Sequence, residues 1–141
     1  MTTLITNEAL HQKSPQEITA LLYEACLINL EDSITNIEEK DFIAANEKLQ
    51  KASDIIHRLG AGLNYEAGIV ADQLEQLYNY IADRLVEANF KKDATMIREI
   101  IAILEPLVKS WNEAMKSKRD AQPKAVKQKV NVYETNSLYE T

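Results

Sequence analysis

From residue 14 to residue 42 the chain reads SPQEITALLYEACLINLEDSITNIEEKDF. Ser14, Pro15 and Glu17 fall at the N-cap, first and third positions of a helix. That is a capping box with proline where its missing N–H costs nothing. Ile18, Leu21, Leu22, Ala25, Ile28, Ile34 and Ile37 then recur at spacings of three and four, so the stretch reads as an amphipathic helix from Pro15 to about Glu39. Asp41 follows at once as the cap of a second helix. A long helix, a tight connection and another helix start predict antiparallel all-α packing.

The rest of the chain repeats this grammar. Helix two runs from Phe42 to about Leu59 on the stripe Phe42, Ala45, Leu49, Ala52, Ile56 and Leu59, and Gly60-Ala61-Gly62 is its stop. Asn64 caps a third helix from Tyr65 to about Phe90, with Val70, Leu74, Leu77, Ile81, Leu85 and Ala88 inward. Lys91 and Lys92 complement its C-terminal dipole. Asp93 caps a fourth, from Ala94 to about Arg119, whose core set is Ile97, Ile100, Leu104, Leu107, Val108, Trp111 and Met115. Pro106 inside it predicts a kink near Ile103. The expected fold class is all-α: an antiparallel up-down-up-down four-helix bundle over residues 14–119. An N-terminal segment, 1–13, and a polar tail, 120–141, lie outside it.

Composition agrees and excludes other classes. With 3 Gly and 3 Pro in 141 residues, turn-rich all-β folds are unfavoured. The single Cys26 leaves no internal disulfide and no cysteine-based zinc site. No run approaches the roughly 18 apolar residues of a membrane span, and the first residues carry no secretory signal, so a reducing cytoplasmic setting is expected. The formal charge of −6 is uneven: residues 1–115 hold 10 basic and 19 acidic groups, residues 116–130 six basic groups and only Asp120. An acidic body repels phosphate and argues against nucleic acid. The basic run reads as a solvated segment.

Little in the chain points to catalysis. Both histidines follow a carboxylate by three, as Glu8–His11 and Asp54–His57. Such pairs hold metal in ferritin-like bundles, but that site needs four carboxylates converging in the core. Here Glu8 and His11 precede the first helix, so surface histidines are the simpler reading. Cys26 lies among Leu22, Leu27 and Leu30 with no basic residue within a turn. It reads as a small hydrophobe rather than a nucleophile. There is no phosphate-binding glycine loop and no nucleophile elbow. The expectation is a protein that is not an enzyme and takes no cofactor.

What stands out is surplus apolar surface. Helix four carries Met96, Ile97, Ile100, Ile101, Ile103, Leu104, Leu107 and Val108, and helix one Leu21, Leu22, Tyr23, Leu27, Ile28 and Leu30. A bundle helix needs one apolar stripe; a helix apolar on two sides is central, lies in an oligomer interface, or accepts a partner helix in a groove.

The residues also resemble a known family. Ser14-Pro15-Gln16-Glu17-Ile18 and Leu21-Leu22-Tyr23-Glu24-Ala25-Cys26 open the pattern, and Lys51 through Leu59 with Leu63-Asn64 continue it. The most specific stretch is Leu77-Tyr78-Asn79-Tyr80-Ile81-Ala82-Asp83-Arg84-Leu85-Val86-Glu87-Ala88-Asn89, followed by Lys92-Asp93 and by Leu107 through Ala114. Over residues 14–116 this resembles the flagellar export chaperones of the FliS family. The resemblance implies a cytoplasmic, non-enzymatic all-α chaperone. Its partner would be the C-terminal helical segment of flagellin, disordered in the monomer. The chaperone would cover that segment, prevent premature polymerisation and help present the subunit to the type III flagellar export gate. A disordered amphipathic client loses chain entropy on binding and needs extended apolar grooves.

The family commonly opens with Asn-Pro-Tyr-x-x-Tyr, a segment that can fold over the client groove and is linked to the export gate. Here Thr2 and Ile5 stand where the tyrosines would fall, and Leu10 where a valine is usual. The expected partner-binding set is Ile5 and Leu10 as an apolar lid, and Tyr23, Ile55, Tyr80, Ile101 and Val108 as groove contacts. Arg84 and Asn89 are the polar members, a helix-end role for Asn89 standing equally open. The alternatives are a bundle whose extra apolar surface is a homodimer interface, and a metal-dependent bundle oxidase.

Overall fold

The structure, a computed structural model, describes residues 13–64 and 69–120, which form four helices: α1 (Pro15–Glu38), α2 (Phe42–Ala61), α3 (Ile69–Lys91) and α4 (Ala94–Asp120). The capping box forms as read: the Glu17 N–H donates to Ser14 Oγ at 3.1 Å and the Ser14 N–H to Glu17 Oε1 at 3.4 Å. Ile5, Leu10, Glu8, His11, the start of the third helix at Tyr65 and the tail beyond Asp120 lie outside the described residues. Helix α4 continues through Pro106 without a break.

Two of the helix–helix turns share one construction. After α1, the Lys40 N–H donates to Ile37 O at 2.9 Å and the Asp41 N–H to Asn36 O at 2.8 Å. After α3, the Lys92 N–H donates to Asn89 O at 3.3 Å and the Asp93 N–H to Ala88 O at 3.1 Å. These paired bonds are the Schellman pattern, which needs a left-handed residue. Lys40 and Lys92 supply it, with φ 60° and 51°. The aspartate that follows at once caps the next helix. Asp41 Oδ1 accepts from the Ala44 N–H at 3.1 Å, and Asp93 Oδ1 from the Thr95 and Met96 N–H groups at 3.0 and 3.3 Å. The glycine stop departs from expectation. Helix α2 continues through Gly60 to Ala61, and Gly62 ends it at φ −89°, its N–H donating to Arg58 O at 3.1 Å. The positive φ values lie on lysines, because both lysine turns make bonds that only a left-handed residue permits.

Among the described residues, 22–106 form one compact unit and 13–21 with 107–120 another. The first has a core from all four helices: Tyr23, Cys26 and Leu30 from α1, Leu49 and Ile56 from α2, Ile81 and Leu85 from α3, and Ile97, Ile100 and Leu104 from α4. Burying each of the larger aliphatic chains stabilises the fold by roughly 1.5–3 kcal/mol before entropy is counted. Polar pairs mark the antiparallel order within this unit. Lys48 meets Asp32 at 3.6 Å, Asn89 meets Asn46 at 2.8 Å and Arg84 meets Glu99 at 3.2 Å, while Arg98 and Glu38 join α4 to α1 at 2.9 Å. The ion pairs among them, lying at the surface, register helices more than they stabilise them. In the second unit the Trp111 indole N–H donates to Gln16 O at 3.1 Å, tying the end of α4 to the start of α1.

The buried face of α1 corrects the reading of its stripe. Tyr23, Cys26, Asn29, Leu30 and Ser33 are buried, whereas Ile18, Leu21, Leu22, Ala25, Ile34 and Ile37 are half-buried and Ile28 exposed. A helix apolar almost all round does not declare its inner face, and two polar residues hid it further. Asn29 Nδ2 donates to Ala25 O at 2.8 Å and Ser33 Oγ to Leu30 O at 2.6 Å. Both satisfy themselves on their own helix and enter the core at little cost. Phe42 and Val70, read as inward, are exposed; they are the first residue of α2 and the second of α3, where neighbours cover less of the surface. No helix among the described residues is long and apolar enough to cross a membrane.

Candidate functional site

Helices α2 and α3 pack against each other and leave a groove of about 440 Å³ within the larger unit. Its floor is Leu49 and Leu85, both almost fully buried. Val86 and Phe90, one turn apart on α3, also line it, yet they are 67% and 87% exposed. Asn46, Gln50 and Ser53 supply the polar wall on α2, and Asn89 and Lys92 close the end near the α3 terminus. One turn before Asn46 on α2, Phe42 and Ile43 are also exposed, Ile43 to 79%. Val86 and Phe90 in water beside an apolar floor, with Phe42 and Ile43 exposed further along α2, form a surface that gains by being covered.

The polar end of the groove is ordered by Asn89. Its Nδ2 donates to Asn46 Oδ1 across the helix pair at 2.8 Å. Its Oδ1 accepts from Lys92 Nζ at 2.7 Å, and its backbone carbonyl accepts from the same ammonium at 2.6 Å. The geometry follows from the left-handed turn: Lys92 at φ 51° folds back over the last turn of α3. Lys92 is the one residue with a formal charge among those lining the groove.

The residues expected from sequence to make the site are dispersed. Asn89 lines the groove, and its backbone carbonyl accepts at the helix end. Tyr80 is 51% exposed on α3, outside the groove lining. Ile55 and Ile101 are half-buried and line no part of it. Arg84 is held by Glu87 and Glu99 at 3.3 and 3.2 Å. Val108 is buried in the smaller unit. Tyr23 is 1% exposed and its hydroxyl meets that of Tyr78 at 2.5 Å, so it belongs to the core and offers no surface. Burial, the largest influence on each, raises both phenols above their ordinary range, and it pushes the neighbouring Cys26 thiol up to about 12. All three are protonated near neutrality. Among the described residues, no group of three or more His, Cys, Asp and Glu side chains gathers as a metal set. Asp54 and His57 both face solvent.

Sequence reasoning missed Val86 and Phe90. The available signal was their place on α3: they lie off the stripe Leu77, Ile81, Leu85 and Ala88, and four residues apart. The apolar surplus on α1 and α4 is the larger signal along the chain, and most of it is buried or half-buried.

Comparison with known proteins accords with this fold. The family described as flagellar protein FliS matches residues 3–118, beginning ahead of the stretch that carries the resemblance above. The flagellar secretion chaperone FliS of Bacillus subtilis strain 168 is 32% identical over 117 residues, which are 83% of this chain and 87% of that protein. The flagellar secretion chaperone FliS of Salmonella typhimurium is 33% identical over 107 residues, 74% of this chain and 79% of its own length. A crystal structure of a flagellar chaperone from bacteria superposes with a TM-score of 0.69 at 20% identity, covering 82% of this chain and 94% of that one. That last likeness bears on the fold alone.

Proposed function

The chain belongs to the FliS family of flagellar secretion chaperones, and we propose that the flagellar protein it guards is flagellin. In this reading it binds the disordered C-terminal helical segment of the subunit in the cytoplasm. It thereby blocks premature polymerisation and holds the subunit for the type III export gate. The observation that carries the reading is the pair Val86 and Phe90, exposed at the edge of a buried leucine floor between two packed helices. An amphipathic helix laid there would cover both with side chains at i and i+4, the ordinary mode of helix-in-groove recognition. Asn89 serves as the polar contact at one end, Tyr80 as an outlying contact on the same helix, and Ile5 and Leu10 as the lid over the bound segment.

The function is protective binding with no bond made or broken. The client pays chain entropy on folding, and the buried apolar surface offsets it, so association carries a large negative heat-capacity change. Calorimetric titration with the C-terminal helical peptide of the flagellin from the same cells tests this. Tight one-to-one binding with that signature supports the reading. No heat at several temperatures, together with a mass that doubles with concentration, would instead favour the homodimer use of the apolar surface.

A further inference from the structure

We propose that the α2–α3 groove selects a segment bearing a carboxylate, which pairs with Lys92 just beyond the residue that covers Phe90. This rests on the client-binding reading of the same groove and names what the client must carry. Lys92 is the one formally charged residue in the groove lining. An ammonium has three N–H donors. Two are spent on the Asn89 carbonyl and carboxamide oxygens at 2.6 and 2.7 Å, and the third has no acceptor among the described residues. None of the ion pairs among those residues includes Lys92.

The cation is therefore held in place before any partner arrives. The left-handed backbone fixes its root, and Asn89 fixes its tip while Asn46 fixes Asn89. Preorganisation of this kind lowers the entropy lost on pairing. The rest of the groove lining is apolar or carboxamide and hydroxyl, so among the lining residues a second charge meets one group of opposite sign. The protein as a whole has formal charge −6. That overall field opposes a carboxylate-bearing segment, so attraction falls to the short-range cation, which also sets the register. Apolar contacts on Val86 and Phe90 tolerate sliding by a turn; one ion pair at the end does not, which is how a single charge confers specificity.

A double-mutant cycle tests the proposal. The full chain and its Lys92→Met, Lys92→Gly and Lys92→Arg variants are titrated with the flagellin C-terminal peptide and with versions in which each Asp or Glu is changed singly to Asn or Gln. Lys92→Gly suits the left-handed turn, so a loss seen there is not a loss of fold. The expected result is one acidic position whose neutralisation weakens binding about fivefold against the native chain, as for a partly screened ion pair. That position should have no effect against Lys92→Met or Lys92→Gly, and Lys92→Arg should keep the coupling. Raising salt should weaken the native complex more than the Lys92→Met complex. Binding lost in Phe90→Ala but equal in all Lys92 variants would overturn the carboxylate and leave the groove reading standing. Absence of binding to the native chain would overturn both.

Discussion

Lys40 and Lys92 occupy the same place in two copies of one turn. Each is left-handed, each sits between a Schellman pair of hydrogen bonds, and each is followed by the aspartate that caps the next helix. They differ in what the side chain does. Lys92 folds back onto Asn89 through two hydrogen bonds, whereas Lys40 is exposed and its side chain makes no hydrogen bond among the described residues. A side chain at positive φ costs roughly 1 kcal/mol that glycine escapes. Lys40→Gly should therefore stabilise the protein by about that amount, while Lys92→Gly should gain less because it gives up the bonds to Asn89. Urea midpoints of the two variants should separate in that order.

Exposed Val86 and Phe90 should matter for binding and not for folding. Alanine at either should weaken association with the flagellin peptide by about 1–3 kcal/mol if it is a hot spot, and shift stability by no more than about 0.5 kcal/mol. Tyr23→Ala should do the reverse, costing roughly 3–5 kcal/mol of stability as a core aromatic truncation. Titration and thermal melts on the same three proteins check both halves, and unaltered binding by Val86→Ala and Phe90→Ala together would remove the groove from the site.

Tyr23, Tyr78 and Cys26 set an alkaline limit. All three hold their protons more tightly folded than unfolded. Such groups contribute fully below the unfolded pKa and progressively less as pH rises toward the folded one. Stability should stay level through neutrality and begin to fall from about pH 8.5, the ordinary cysteine value, with the tyrosines joining from about pH 10. Cys26→Ala should remove the first part of that decline and leave the second. A decline of the same onset in the variant would show that the buried thiol is not its source.

The helix caps should act one at a time. Ser14→Ala removes the acceptor for the Glu17 N–H, and Asp41→Ala the acceptor for the Ala44 N–H. Each should cost about 1 kcal/mol. Asp93→Ala should cost more than Asp41→Ala, since Asp93 accepts from two backbone N–H groups. Chemical unfolding of the three variants gives the ranking directly.

Asn46 and Asn89 should couple. Their hydrogen bond joins α2 to α3 across 43 residues of chain and holds the groove's polar end. Alanine at each alone and at both should give a coupling of about 0.5–1.5 kcal/mol in stability, the net worth of a typical hydrogen bond. A coupling near zero would mean that the carboxamides are solvated independently.

Much of this was legible along the chain because it is local physics. A cap and the helix it starts lie within four residues of each other, so Ser14, Asp41 and Asp93 announced three of the helix starts, and the period of three and four announced the stripes of α2 and α4. The inner face of α1 was not legible. Its apolar residues surround the cylinder, and Asn29 and Ser33 are buried only because each can bond its own backbone, which composition does not reveal. Nor was the groove. Whether Val86 and Phe90 are covered depends on which side of α3 meets α2, a choice made by long-range packing of Leu49, Leu85 and their neighbours. The same holds for Lys92: its sequence position suggested a charge at a helix end, while its role as the one cation of an apolar groove arises only when Asn46, 46 positions away, comes to lie beside Asn89. The chain by itself determined four helices, three of their starts and the family. The tertiary structure decided which apolar residues are core and which are surface, because burial is a property of pairs of helices and not of either one alone.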